Sequence, residues 1–251
     1  TFCQNADISQ MPRDQGRILG HEVPPAAVVE AARRHGCRSI SYTYTEPTIF
    51  FEYAYDVSVL ARQAGLANVF VTNGYMTPEM LDAYHPYLDA ANVDLKSFRD
   101  AFYRRLCGAR LQPVLDSLQK MKAQGVWIEV TTLVIPGQND DPGELQELAG
   151  WLVRELGPQT PWHVSRFHPT YRLTDAPPTP PSTLQRAYEI GRQAGLHYVY
   201  IGNLPGLRGE DTLCPHCSKA VIERYGFTVT AHRLNNGACA YCGGSLDGIG
   251  L

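Results

Sequence analysis

From about residue 24 onward the chain alternates between two hydrophobic rhythms. One repeats every three to four positions, as on a helix face; the other packs β-branched residues into short runs, as in buried strands. Pro24-Pro25 opens a stretch in which Ala27, Val28, Ala31 and Ala32 share a face, and Gly36 stops it. Residues 37–44 then read as a strand and 48–63 as a helix ending at Gly65. The pattern predicts further strands over 67–72, 91–95, 126–135, 162–167 and 198–201. Between them it predicts helices from 77, over 100–107, 112–124 and 141–156, and over 182–194. Strands separated by helices imply an α/β fold with a parallel sheet and right-handed crossovers.

Five or six such units fall short of the eight in a complete (β/α)8 barrel. The expected architecture is a partial TIM-type (β/α)6 barrel missing its first strand, with a doubly wound open sheet as the alternative. Residues 175–181, Asp-Ala-Pro-Pro-Thr-Pro-Pro, read as a stiff connection across the barrel mouth. The composition changes after Gly209, so two domains are expected: a barrel over 1–209 and a small cysteine-bearing module over 210–251.

Composition narrows the function classes only slightly. With 251 residues, 44% apolar and 19% charged, the chain can bury a full core. A net charge of -3 gives no electrostatic reason to expect nucleic acid or an anionic membrane as partner. No apolar run reaches the ~20 residues of a spanning helix, and no signal peptide is visible. Cys214, Cys217, Cys239 and Cys242 form two C-x2-C pairs, whereas Cys3, Cys37 and Cys107 stand singly. Paired knuckles in a cysteine-poor chain argue for metal in a reducing compartment, hence for a cytoplasmic location.

In parallel βα folds the chemistry sits at the C-terminal ends of strands. Here those ends carry Tyr44-Thr45-Glu46-Pro47, then Thr72-Asn73-Gly74, then Asp94-Leu95-Lys96, then Glu129 to Thr132 with Thr131 among them, and Arg166-Phe167-His168. Each has a bland reading, as helix cap, turn or solvated charge. Five polar strand ends together point to a site. Glu129 is the evident candidate partner for Arg166, and His163 a lesser candidate for catalysis.

This ordered set resembles the radical S-adenosylmethionine (SAM) enzymes of the pyruvate formate-lyase-activase type. It looks closest to the AmmeMemoRadiSam-system proteins, which carry a Tyr-Thr-Glu-Pro signature and a Cys-rich tail. Cys3, followed by Gln4-Asn5, resembles the end of their C-x3-C-x2-C loop. The resemblance implies that Cys3 is one of three thiolates on a [4Fe–4S] cluster, the two others expected just before Thr1. On that expectation the chain is truncated within the motif and itself inactive. Tyr44 to Pro47 stands where many relatives have Gly-Gly-Glu-Pro against the SAM ammonium. Asp94 would face the ribose, Lys96 the SAM carboxylate and His168 the adenine, with Thr45, Thr72, Asn73, Gly74 and Thr131 completing the cofactor site. The implied reaction is reductive SAM cleavage to a 5'-deoxyadenosyl radical that abstracts hydrogen from an unidentified substrate, small molecule or protein. An external donor such as flavodoxin or ferredoxin would supply the electron. Val71 departs from the Asp-Thr-Asn-Gly of glycyl-radical activases, which sets that narrower activity apart as an alternative. A metal-binding adaptor built on a degenerate barrel is the non-enzymatic one.

The tail, Cys214-Pro-His-Cys217 and Cys239-Ala-Tyr-Cys242, has the form of a zinc-ribbon or rubredoxin-like knuckle pair with a hairpin over 220–229 between. Zinc is the expected ion, with mononuclear iron, an auxiliary Fe–S cluster or disulfides as alternatives. About forty residues make too small a core without such a staple.

Overall fold

The computed structural model describes every residue except Leu19, Pro205, Leu207, Arg208, Phe227 and Leu251. Six strands form the main sheet: β1 (Ser39–Tyr42), β2 (Ala67–Thr72), β3 (Ala90–Asp94), β4 (Trp127–Val134), β5 (Trp162–Arg166) and β6 (Val199–Gly202). They follow one another in sequence order, β1-β2-β3-β4-β5-β6. The ladders β1/β2, β2/β3, β4/β5 and β5/β6 are all parallel. A doubly wound sheet would reverse its order at a switch point. This one does not, so the barrel-type winding is the fold. Helices α3 (Pro25–Arg34), α4 (Phe51–Gln63), α5 (Pro78–Tyr84), α7 (Gln112–Ala123), α8 (Pro142–Trp151) and α9 (Pro181–Ala194) alternate with the strands.

Two units pack internally. The first comprises Thr1–Asp94, Gln112–Ile128 and Thr170–Leu173. Its core sets Tyr42 edge to face on Phe70 and Phe70 at a tilt on Tyr84, with Phe51 and Tyr55 edge to face on Tyr84. The polar atoms of that core are paired: the Tyr42 hydroxyl donates to Asn68 Oδ1 at 3.0 Å, and Asn68 Nδ2 donates to the carbonyls of Ser58 and Tyr87. Buried hydroxyls and amides are tolerated there because each finds a partner.

The second unit comprises Leu95–Leu111, Glu129–Pro169 and Thr174–Leu251. On β4, Val130, Thr132 and Val134 are fully buried, while Glu129, Thr131 and Leu133 on the opposite face are half-open. Thr132 Oγ1 accepts from Trp162 Nε1 and donates to the Leu95 carbonyl, both at 2.9 Å. Asp141 caps α8, and the buried Glu144 in its first turn accepts the backbone amide of Phe98 at 2.8 Å. The tail adds β7 (Thr212–Leu213), β8 (Ala220–Tyr225) and β9 (Thr228–His232) as an antiparallel sheet, and β10 (Leu234–Asn235) with β11 (Ala238–Cys239) as a hairpin.

The departures from the sequence pattern have local causes. Strand β1 stops at Tyr42 because Tyr44 turns the chain at φ 69°. The helix expected from 48 begins as a 3-10 turn, Pro47–Phe50, before α4. The stretches expected as helices over 100–107 and 141–156 start as α6 (Asp100–Phe102) and α8, and both finish as π turns, Tyr103–Cys107 and Leu152–Leu156. Two short helices, α1 (Ala6–Ser9) and α2 (Met11–Gln15), lack an apolar stripe and so left no periodic trace.

Candidate functional site

Glu46 organises the ends of β1 and β2. Pro47 fixes the first position of the following 3-10 turn, and Glu46 caps it with extended backbone. The carboxylate then reaches β2. Oε1 accepts from the Thr72 hydroxyl at 2.6 Å, and Oε2 accepts from the Asn73 amide at 2.7 Å. Burial pushes the Glu46 carboxyl above its ordinary range, although the Asn73 amide and the Thr72 and Thr48 donors pull the other way. A carboxylate has about four lone-pair directions; the Thr72 hydroxyl, the Asn73 amide and the more distant Thr48 amide at 3.5 Å occupy three, which leaves one for a ligand.

Thr72 is almost fully buried and also accepts from the Gly74 amide at 3.1 Å. Asn73 Oδ1 accepts from the Tyr75 amide at 2.8 Å. Gly74 sits at φ 70°, and a Cβ there would lie 2.7 Å from Val93 Cγ1. Both facts require glycine. Register places Thr72 opposite Val93, so Asp94 closes the next strand just beyond them. Tyr44 is 68% exposed and sits in the left-handed region at φ 69°. Thr45 donates its amide to the Thr43 carbonyl.

In the second unit the backbone of Lys96 is held on both sides. Its amide donates to the Tyr103 hydroxyl at 3.0 Å, and its carbonyl accepts from Asn139 Nδ2 at 2.6 Å. Thr131 lies on the half-open face of β4, and His168 is exposed just beyond β5. Arg166 does not pair with Glu129 as the sequence suggested; its Nε donates to the Thr179 carbonyl. Glu129 is engaged instead with His163, Oε2 to Nε2 at 2.6 Å. The His163 ring stacks on Tyr200 at 5.1 Å, and the Tyr200 hydroxyl meets Thr212 Oγ1 at 2.9 Å. Burial raises the Tyr200 hydroxyl above its ordinary value, which keeps it neutral. Two residues apart on parallel neighbours, Glu129 and His163 gave only a period-two alternation as a signal.

The four tail thiols converge within 4.8 Å of one another. Cys214 Sγ lies 3.7 Å from Cys242 Sγ, and Cys217 Sγ lies 3.8 Å from Cys239 Sγ. Four sulfurs at ~2.3 Å from one tetrahedral ion stand about 3.8 Å apart, so the spacing fits a single metal. Both knuckles share one backbone design: Ser218 donates its amide to the Cys214 carbonyl and Gly243 to that of Cys239, each at φ near the left-handed region. Burial works against ionising Cys239, yet the amides of Tyr241 and Cys242 and the neighbouring thiols bring it down to about 7. For Cys242 the Gly244 amide favours the thiolate, but burial and the surrounding sulfurs push it up to about 12. Four thiolates therefore share this space only around a cation.

A family model described as the radical SAM superfamily matches residues 1–149. The chain belongs to that superfamily. A radical SAM chain is an enzyme that works with a [4Fe–4S] cluster and SAM, and the residues present fit part of that requirement: Cys3 offers a half-buried thiol. The chain is 47% identical over 247 residues to an uncharacterized protein of Methanocaldococcus jannaschii, covering 98% of this chain and 73% of that one. It is 30% identical over 112 residues to the isethionate sulfite-lyase activating enzyme of Nitratidesulfovibrio vulgaris, which spans 43% of this chain and 36% of the relative. Among solved structures, a domain of pyruvate-formate lyase-activating enzyme from Bacteroides vulgatus superposes with a TM-score of 0.57 at 18% identity, covering 66% of this chain and 99% of that domain. SuiB of Streptococcus suis bound to S-adenosylmethionine gives 0.60 at 13%, covering 74% and 45%. At those identities the likeness is one of fold. No helix among the described residues is long and apolar enough to cross a membrane.

Proposed function

We propose that this radical SAM enzyme cleaves SAM reductively and uses the product radical to take a hydrogen atom from a small-molecule or protein substrate. The observation that carries the reading is the Glu46 carboxylate, fixed by Thr72 and Asn73 at adjoining strand ends with acceptor capacity left over. When bound, the cluster and SAM supply an electron and a 5'-deoxyadenosyl radical. Cys3 contributes one thiolate. Glu46 accepts from the SAM ammonium, with Tyr44, Thr45 and Pro47 shaping its approach, and Lys96 meets the carboxylate. Asp94 serves the ribose, His168 the adenine, and Thr72, Asn73, Gly74 and Thr131 line the cofactor site. The half-open polar residues Glu129 and His163 are suited to hold a polar group of the substrate. Zinc occupies the Cys214, Cys217, Cys239 and Cys242 site as a structural ion, with mononuclear iron as the other fit. The protein would work in the reducing cytoplasm with flavodoxin or ferredoxin as electron donor, without nucleic acid or membrane.

A second reading, activation of a glycyl-radical enzyme, is favoured by the 30% identity to a lyase activating enzyme. Val71 before Thr72-Asn73-Gly74 weighs against it. The AmmeMemoRadiSam subgroup rests on Tyr44-Thr45-Glu46-Pro47 together with the cysteine-bearing tail.

The reading needs two further thiolates ahead of Cys3, so its test uses a chain carrying them, reconstituted anaerobically with iron and sulfide. Reduction in the presence of SAM should release methionine and 5'-deoxyadenosine, and SAM should perturb the EPR signal of the reduced cluster. A fully loaded, reduced protein that leaves SAM intact refutes the proposal.

A further inference from the structure

Alternate residues of β4, β5 and β6 give the sheet of the second unit two unlike faces. One is packed against helix: on α9, a Cβ at Gly191 would lie 2.8 Å from both Trp162 and Val199. The other carries Glu129 and Thr131, His163 and Ser165, and Tyr200 and Gly202, all half-open. Register sets Thr131, His163 and Tyr200 side by side, with Ser165 beside Gly202 one step along.

A carboxylate only accepts, so the 2.6 Å contact of Glu129 Oε2 with His163 Nε2 puts a ring proton on Nε2. The neutral ring then presents the lone pair of Nδ1. Tyr200, stacked on the ring at 5.1 Å, fixes its plane. Neither His163 Nδ1 nor the Ser165 hydroxyl meets a protein partner among the described residues. Gln124 Oε1 is the single buried side-chain atom there left without one, so both are reachable from outside. Gly202 keeps the second of them open. Its φ is not positive, so the backbone does not require glycine. Space does: a Cβ would lie 2.7 Å from Ser165 Oγ. Glycine inside a strand weakens it and marks a place where a ligand or another backbone comes close.

We propose that this face is the subsite for a hydrogen-bond-donating group of the substrate, an amine or a hydroxyl. His163 Nδ1 receives that group, and Ser165 holds a second polar group of the same molecule. The inference deepens the reading of the chain as a hydrogen-abstracting enzyme and rests on it for taking the occupant to be the substrate. Charge selects the class. Among the described residues alternating onto this face from the three strands there is no Lys or Arg, whereas Glu129 brings a carboxylate. An ammonium is attracted there, and a carboxylate or phosphate is repelled. Spacing selects the shape: His163 and Ser165 stand two residues apart on one strand, about 7 Å, which fits polar ends joined by a short chain.

Binding is read by NMR on the full chain without cluster or SAM, the His163 ring signals being assigned through His163→Gln and followed where the ring is neutral. The probes are diaminobutane, butanediol and succinate, which share one carbon skeleton and differ in their ends. Diaminobutane or butanediol should shift the His163 Nδ1 resonance, and succinate should not; a response to only one donor probe names the end group. Ser165→Ala should weaken the donor probe about fivefold, the loss of one hydrogen bond. Gly202→Ala, which fills the gap over Ser165, should weaken it at least as much; where that variant does not fold, Ser165→Ala carries the test. Succinate binding as tightly as the donor probes overturns the inference, as does a His163 ring unmoved by both of them or an unchanged affinity in Ser165→Ala. A chain that binds the donor probes but, fully loaded, leaves SAM intact keeps this subsite and refutes the radical reading instead.

Discussion

Replacing Glu46 with alanine tests the organisation of the strand ends without any cofactor. The substitution removes the acceptor of the Thr72 hydroxyl and of the Asn73 amide, bonds of 2.6 and 2.7 Å. Hydrogen bonds to a charged group contribute about 1.5–3 kcal/mol each. Part of that is offset because burying the carboxylate is itself unfavourable, as its raised pKa records. The Asn73 amide, however, would lose its acceptor near the protein interior, at a cost of about 1–3 kcal/mol. The net expectation is a loss of about 2 kcal/mol, or roughly 4–8 °C in Tm for a chain of this size. The pH dependence supplies an independent sign. Because the folded carboxyl is the weaker acid, the native state keeps its proton after the unfolded chain has released it. Stability should therefore fall as pH rises from about 4.3 through the folded value, and level off above it. Glu46→Gln should abolish that slope and place its NH2 against one of the two donors. Urea unfolding of the three proteins from pH 4 to 8 measures both effects. A Glu46→Ala protein within about 0.5 kcal/mol of wild type, or an unchanged slope in Glu46→Gln, would refute this account of the site.

Tyr44→Gly should stabilise the fold slightly: relief of about 1–2 kcal/mol of left-handed strain outweighs about 0.5–1 kcal/mol of added chain entropy. Tyr44→Ala keeps the strain and should gain nothing in the same denaturation assay. Gly74→Ala should cost about 2–3 kcal/mol from overpacking on Val93 and its positive φ, read as a lower urea midpoint; Val93→Ala in the same chain should recover part of it. Elemental analysis should find one metal equivalent per chain at the four tail thiols, lost in Cys217→Ser. Stripping that ion with a chelator should unfold the tail first, since structural zinc contributes ~10–16 kcal/mol, and the tail's buried core among the described residues is small: Cys214, Val221, Ile222, Leu234 and Cys239, with Cys217 and Leu246 packed against it.

Strand β2 was legible to the residue, because the β-branched and aromatic run Val69-Phe70-Val71-Thr72 lies between the Gly65 stop and the Asn73-Gly74 turn. The tail thiols were legible too, since a C-x2-C pair leaves few geometries. Strand β1 was read too long because Tyr44 is an ordinary strand residue by propensity; only tertiary context holds it at positive φ. The π turns at Cys107 and Leu156 were invisible for a similar reason, their sequences being good helix formers. Glu46, Thr72 and Asn73 could be named one by one, but their shared hydrogen bonds could not, since 26 residues separate Glu46 from Thr72. The Glu129–His163 pair was mistaken for a Glu129–Arg166 pair because charge alone does not say which side chains share a pleat.

The Tyr200 ring under His163 rests on Thr212, a residue of the cysteine-bearing tail that also accepts from Arg224 Nη1 at 2.8 Å. Trimming the tail to obtain a simpler barrel would thus withdraw the prop beneath a histidine fifty positions upstream, roughly counted. What survives such surgery would present a different surface around His163, and a change in its behaviour would report on lost support as much as on lost thiols.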